Sequence, residues 1–248
     1  MRATDPAALL ATWEAGLTGR AADRSLLLHL AARPGADTGE LLAVPVGERE
    51  ADLFALRRAL FGDRMQVRVA CGACDEEMEF DLDAGVLGAR PDPPPGPLRV
   101  AEDGWEVEFA LPTVAALEAA ASAGDPAEAR RRLVASCTVR ALRGGEEVPA
   151  PDLASVLPAG VERRIAEAAA EADPVADVTL SIACPECGEA TPAELDITSY
   201  LWTELDTWAR DLLLDVHLLA SAYGWSEPEI LALSPTRRRY YLELCADV

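Results

Sequence analysis

The chain has 248 residues, half of them apolar, and a formal net charge of −21 from 43 acidic residues against 22 basic ones. That size suffices for a buried core, while so much negative charge repels nucleic-acid phosphates and anionic lipid surfaces. No apolar run reaches the roughly 18 residues of a membrane-spanning helix, and the start, MRATDPAALLATWEAG, lacks the parts of a secretory signal, so a cytoplasmic origin is expected.

Taken in order, residues 5–17 predict an amphipathic helix after Thr4-Asp5-Pro6, with Ala8, Leu9, Trp13 and Leu17 at helical spacing. A second helix is expected from Asp23 to Arg33, ended by Pro34-Gly35. A third covers 47–61, with Leu53, Leu56, Leu60 and Phe61 on one face and Gly62 as its cap. The period then changes to two: Met65, Val67 and Val69 alternate with polar neighbours, and Met78, Phe80 and Leu82 repeat the pattern. Between these strands lies Cys71-Gly-Ala-Cys74.

Pro91-Asp-Pro-Pro-Pro-Gly-Pro97 predicts a stiff extended linker. A hairpin follows, with Leu98 to Val100, a turn at Asp103-Gly104, and Trp105, Val107 and Phe109 alternating with glutamates. Helices are expected at 113–122, 126–138 and 152–171, and Gly144-Gly145 reads as a turn. Strands are expected again at Val178–Cys184 and Ala193–Ile197, flanking the second turn, Cys184-Pro-Glu-Cys187. The last fifty residues are helical. A long helix over 199–223 places Leu201, Leu205, Trp208, Leu212, Val216 and Leu219 on one face and Leu214 and Leu218 on the other. Gly224 ends it, Ser226 and Glu229 form a capping box, and Ser234-Pro235 begins a final helix.

The two CxxC turns carry the chemistry. Each points two sulfurs at one place, and two such turns supply the four thiolates of a tetrahedral metal site. They are separated by 109 residues, so the metal closes a long loop. Cys71, Cys74, Cys184 and Cys187 are the expected ligands of a structural Zn2+, because four thiolates leave no position open for water. Iron is the lesser alternative for the same donors. A thioredoxin-type reading is disfavoured, since both turns lead into strands.

Other chemistry is poorly represented. Cys137 and Cys245 stand alone at apolar helical positions and read as small buried hydrophobes. The two histidines, His29 and His217, lie within leucine-rich helices and read as core residues. Acidic pairs such as Glu76-Glu77 and Glu146-Glu147 read as solvated surface. No nucleophile has a histidine and acid partner in view, and no phosphate-binding loop is present, so no enzyme is expected. Every basic residue is arginine. GC-rich coding and bidentate contacts at interfaces both fit that usage. The segment 222–244, rich in Trp, Tyr and Arg, reads as a helical cap or a docking face.

These elements predict a mainly α fold with a small β zinc ribbon. Residues 1–64 form an N-terminal helical region, 65–90 and 178–198 a split ribbon, 91–177 an α+β insertion, and 199–248 a C-terminal helical region. Three stretches resemble the baseplate-hub assembly family of contractile phage tails and phage-tail-like injection systems. They are the run from Gly47 to Gly62 just before the first cysteine turn, Phe109-Ala-Leu-Pro-Thr-Val-Ala-Ala-Leu117, and the ending around Tyr223-Gly-Trp225 and Arg237-Arg-Arg239-Tyr-Tyr-Leu. In the second, Ala110 and Ala116 stand where the family pattern R-L-P-T-x-x-D-L has Arg and Asp.

The resemblance implies a non-enzymatic structural component or assembly factor of a contractile baseplate. Its partners would be tail and baseplate proteins, with no nucleic acid, membrane span or small-molecule substrate. Leu214, Leu218, Tyr223, Trp225, Arg237, Arg238 and Tyr240 are the candidate partner-binding residues. The alternatives are a zinc-ribbon adaptor or nucleic-acid-associated module, and a redox or metal-dependent enzyme.

Overall fold

Helices joined by three small antiparallel sheets make up the computed structural model, which describes residues 5–92 and 94–246. Thr4 of the expected helix start and Pro93 of the expected linker lie outside the described residues. The chain divides into two compact units. One comprises residues 35–197; the other comprises the residues up to 34 together with those from 198 onward.

Helix α1 (Pro6–Gly16) starts at a proline, whose fixed φ suits the first helical position, and α2 (Ala21–Ala32) follows a short turn. In the 35–197 unit, α3 (Thr38–Ala43) opens with a capping box in which Asp37 and Glu40 exchange backbone bonds. Helix α4 (Val46–Phe61) begins after Pro45, which offers no capping side chain. Its cap comes instead from Asp173, 126 residues away, whose Oδ2 accepts the Gly47 N–H at 2.9 Å. A Cβ at Gly47 would lie 2.0 Å from the Asp173 carboxylate, so only glycine permits this approach. Arg90 lies 3.5 Å from Asp173 and 3.4 Å from Glu48, which compensates the buried charge.

Strand β1 (Arg64–Ala70) pairs with β2 (Glu77–Asp83), Ala70 opposite Glu77, in a two-stranded sheet. Each of these strands buries one residue, Met65 and Met78. Asp83 then caps the short α5 (Ala84–Leu87). The four-stranded sheet contains β3 (Leu98–Glu102), β4 (Trp105–Phe109), β5 (Thr138–Arg143) and β6 (Glu146–Glu147) in sequence order. Asp103 and Gly104 turn β3 into β4, both with positive φ as a type I′ turn requires. Helices α6 (Val114–Ala121), α7 (Pro126–Cys137), α8 (Ala150–Val156) and α9 (Ala159–Ala172) accompany this sheet. Trp105, Val107, Phe109, Leu153, Leu157 and Val161 form its buried cluster. Each such side chain contributes roughly 1.5–3 kcal/mol relative to exposure. A second two-stranded sheet, β7 (Thr179–Ala183) with β8 (Ala190–Glu194), completes the unit.

Helix α10 (Ile197–Tyr223) enters the other unit, which also holds α11 (Glu227–Leu231) and α12 (Pro235–Ala246). Its buried residues include Leu9, Leu10, Trp13 and Leu28 from the first two helices and Leu201, Leu205, Ala209, Leu212 and Leu219 from α10. The Trp13 indole donates to Asp206 at 2.8 Å, and the Arg24 guanidinium lies 4.8 Å from the centre of the Trp202 ring.

The fold is mainly helical with small antiparallel sheets, as expected, but several details differ. The helix expected over 152–171 is two, α8 and α9. Leu157 adopts ψ 128° before Pro158, which disfavours α geometry in the residue before it and cannot donate to the preceding turn. The second strand expected at Ala193–Ile197 begins earlier, at Ala190, because the cysteine turn closes at Glu189. Ile197 instead starts α10. Strand β5 follows directly on α7, taking Thr138 from the end of the expected 126–138 helix and lying otherwise where no element is expected, and α3 and α5 are too short for periodicity to reveal. His217 is exposed on α10, not in the core, whereas His29 is buried.

Candidate metal centre

The two cysteine turns have the same local plan. In the first, the Cys71 N–H donates to the Glu76 carbonyl at 2.9 Å and the Asp75 N–H to the Cys71 carbonyl at 3.0 Å. In the second, Cys184 N–H donates to Glu189 and Gly188 N–H to Cys184, both at 2.9 Å. Asp75 and Gly188 occupy the corresponding place with φ of 59° and 77°. Glycine takes that conformation freely, and Asp is among the side chains that tolerate it. The tight turn leaves backbone N–H groups directed at the sulfurs.

The turns converge. All four sulfurs lie within 4.8 Å of one another, with Cys71 to Cys187 and Cys74 to Cys184 each at 3.6 Å. A tetrahedron of sulfurs with metal–sulfur bonds of about 2.3 Å has edges near 3.8 Å, so the four residues fit a single metal ion. The first cysteine of each turn is buried and the second exposed. Among the described residues this is the one group of metal-ligating side chains drawn so close.

The electrostatics favour a cation. The Cys71 thiol is lowered to about 6, first by the backbone N–H of Ala73, then by that of Cys74. Glu76 N–H likewise favours the Cys74 thiolate, but the Cys187 sulfur, burial and the Cys184 and Cys71 sulfurs push that thiol up to about 12. At Cys187 the Glu189 N–H and Cys74 are outweighed by burial and by Cys71 and Cys184, and the net shift is upward. Backbone dipoles invite thiolates here, while neighbouring sulfurs oppose ionisation of Cys74 and Cys187. A bound cation removes that conflict and displaces the remaining protons.

The surrounding core is slight. Buried residues of this cluster are Cys71, Met78 and Cys184, with Val69 and Ile182 partly buried against them. Two two-stranded hairpins with so little apolar contact are marginal alone. The cysteines are most of what these hairpins share.

An open apolar cleft of about 630 Å³ lies elsewhere in the 35–197 unit, lined by Phe109, Leu133, Val134, Ile165 and Ala169, with the Arg130–Glu162 ion pair on its wall. Cys137 also lines it, and burial raises that thiol, the opposite of an activated nucleophile.

The partner candidates lie in the other unit. Leu214, Leu218, Tyr223, Arg237 and Tyr240 are exposed, and Trp225 is half-buried. Tyr223 stacks on Trp225 with ring centres 4.7 Å apart, and Tyr241 meets both edge-on. Arg238 is buried, and its Nε donates to Asp215 at 3.0 Å, so its charge is engaged within the chain. Sequence reasoning missed Tyr241, because two adjacent tyrosines on a helix give no sign of which faces inward. It also missed Gly47, Arg90 and Asp173, whose partners are remote in sequence. Among the described residues no helix is long and apolar enough to cross a membrane.

A family model described as T4 bacteriophage base plate protein matches residues 34–200. No curated protein and no solved structure matches the chain. The match takes in the Gly47–Gly62 and Phe109–Leu117 stretches and ends before Tyr223.

Proposed function

The chain belongs to the T4 bacteriophage base plate protein family, and from that premise we propose that it is a zinc-stabilised structural component or assembly factor of a contractile, phage-tail-like injection baseplate, acting at its hub. The observation that carries the reading is the family match across the unit that contains all four cysteines. In this reading Cys71, Cys74, Cys184 and Cys187 hold Zn2+, which suits four thiolates in a tetrahedron and activates no water. The residues 65–90 and 178–198 then act as one ribbon split by the insertion 91–177, between helical regions at 1–64 and 199–248.

The work is done by contacts with tail and baseplate proteins, not by catalysis, and takes place in the cytoplasm during particle assembly. The exposed apolar face of α10, Leu214 with Leu218, and the aromatic group at Tyr223, Trp225 and Tyr240 provide the docking surface, with Arg237 at its edge. Arg238 supports this surface through Asp215.

Native mass spectrometry of the chain, alone and after affinity capture from its own cells, tests both parts. One zinc per chain and co-purifying baseplate subunits are expected. A metal-free chain would overturn the zinc assignment, and capture without any tail component would overturn the assembly role.

A further inference from the structure

Helices α7 and α9 turn matching stripes toward one space. The open cleft of about 630 Å³ is lined from α7 by Arg130, Leu133, Val134 and Cys137, and from α9 by Glu162, Ile165, Ala166, Ala169, Ala170 and Asp173. Both sets advance in steps of three and four residues, so each is one face of its helix. Val107, Phe109 and Leu157, buried members of the adjoining core cluster, also line the cleft. The walls are incompletely covered. Helix α7 has 12 residues, and even its Leu133, Val134 and Cys137 are only half-buried, while Ala166 and Ala170 of α9 are exposed. A helix of that length is marginal in water unless its apolar face packs against something.

Shape and charge together say what fits there. Glu162 and Asp173 mark the ends of the α9 stripe, about 16 Å apart along the axis, the length of three helical turns. Ile165 and three alanines lie between them, and such small side chains leave a shallow groove into which the ridges of another helix can pack closely. Glu162 is matched across the cleft by Arg130. Asp173 at the other end is 3% exposed. Its Oδ2 caps α4, but its Oδ1 completes no hydrogen bond among the described residues, with Arg90 Nε 3.5 Å away. Asp177, four residues on, also lines the cleft and is exposed. That end therefore carries surplus negative charge, in a unit with 32 acidic residues against 14 arginines. A buried carboxylate oxygen lacking a donor is unfavourable, and a Lys or Arg side chain supplies one.

We propose that this cleft seats an amphipathic helix of a partner protein, basic at one end. Its apolar side chains, at i, i+3, i+4 and i+7, lie against the α7 and α9 stripes. Its Lys or Arg lies at the end nearest Asp173 and Asp177, where the acidic surplus also draws the helix in from solution. The site belongs to the family-matched unit, whereas Leu214 and Leu218 belong to the other. It calls for no metal.

The experiment places the photo-reactive residue p-benzoylphenylalanine at Ala166 of the full chain in its own cells, with Val86, 72% exposed, as the control position. Irradiation is expected to join Ala166 to a segment of another protein that has apolar residues at helical spacing and Lys or Arg at one end. A synthetic peptide of that segment should then bind the full chain. Ala166→Trp and Ala170→Trp fill the cleft from exposed positions and should each weaken that binding about 10-fold or more. Asp177→Asn should weaken it about 3- to 10-fold and reduce its salt dependence. Cross-linking at Ala166 no stronger than at Val86 overturns the proposal, as does a join to a second copy of this chain or to an extended or acidic segment. A small apolar molecule retained in native mass spectra overturns it too, as does peptide binding that the folded tryptophan variants leave unchanged. The identity of the protein that carries the segment tests the assembly role separately.

Discussion

The unit at 35–197 and the helical unit of the two chain ends are held together by different means. The helical unit buries a continuous set of leucines, with Leu28, Leu201, Leu205, Leu212 and Leu219 almost fully inaccessible. Its polar ties, such as Trp13 to Asp206, add to an interior that apolar contact already defines. The 35–197 unit carries 32 of the 43 acidic residues, and two of its three sheets have only two strands. There, directed links between residues far apart in sequence close the fold: Cys71 with Cys187, Cys74 with Cys184, and Asp173 with Gly47. The difference teaches that small hairpins on an acidic chain need ties with defined partners, while packed helices do not. The family match covers the unit built on such ties.

The sharpest way to break this contrast is at the cysteines. Cys71→Ser or Cys184→Ser is expected to abolish stoichiometric metal binding and unfold much of the 35–197 unit. Structural zinc contributes on the order of 10 kcal/mol of apparent binding free energy. Metal analysis with thermal melting measures both effects. A Cys71→Ser chain that melts like its parent would mean apolar clusters suffice here as well, and the contrast would disappear.

The next effect lies at Asp173. Asp173→Ala removes the cap from α4 and leaves Arg90 with Glu48 alone. Breaking a buried pair in this way costs about 3–5 kcal/mol. The urea unfolding midpoint should fall accordingly. A shift within about 0.5 kcal/mol, typical of an exposed site, would show that the buried charges carry little of the fold.

How much of this was legible in the sequence follows from the same contrast. The leucines of α10 and the alternating strands around Cys71 repeat locally, so periodicity exposed them. The clustered cysteines were legible because the CxxC spacing recurs, even across 109 residues. The link from Asp173 to Gly47 left no such trace: neither residue belongs to a repeating pattern, and proximity arises only once the insertion has folded. Thr191 was hidden for a related reason. It is the only buried residue of β8, and a threonine flanked by alanine and proline in a short strand gives no indication that it will be buried. Arg238 shows the converse, since its helix offers three consecutive arginines and only folding selects the one that pairs with Asp215.

Within the helical unit, Trp13→Phe tests how little a polar tie matters there. It removes the indole donor to Asp206 while keeping an aromatic ring, with an expected loss smaller than at Asp173 because Asp206 stays in contact with solvent and keeps Arg210. The carboxyl of Asp206 is held below the usual aspartate range by Arg210 first and by Trp13 second. A depressed folded-state pKa gives stability that is present above the unfolded value near 3.8 and lost as pH falls through the folded value. The parent should therefore lose melting temperature more steeply below about pH 4 than an Asp206→Asn variant. Parallel curves for the two would remove Asp206 from the account of this unit.

The smallest effect on folding is expected at Leu214 and Leu218, and that is what makes them useful. Both are large aliphatic side chains exposed on α10, so glutamate at either position should alter stability by no more than about 0.5 kcal/mol. Capture of baseplate subunits should nevertheless fall, because each substitution places an unpaired charge in the proposed apolar contact. Measuring melting temperature and partner recovery on the same variants separates the two roles. Unfolding would make these leucines part of the helical core, whereas full recovery of partners by a folded variant would move the docking surface to the 35–197 unit and its cleft beside Phe109 and Ile165.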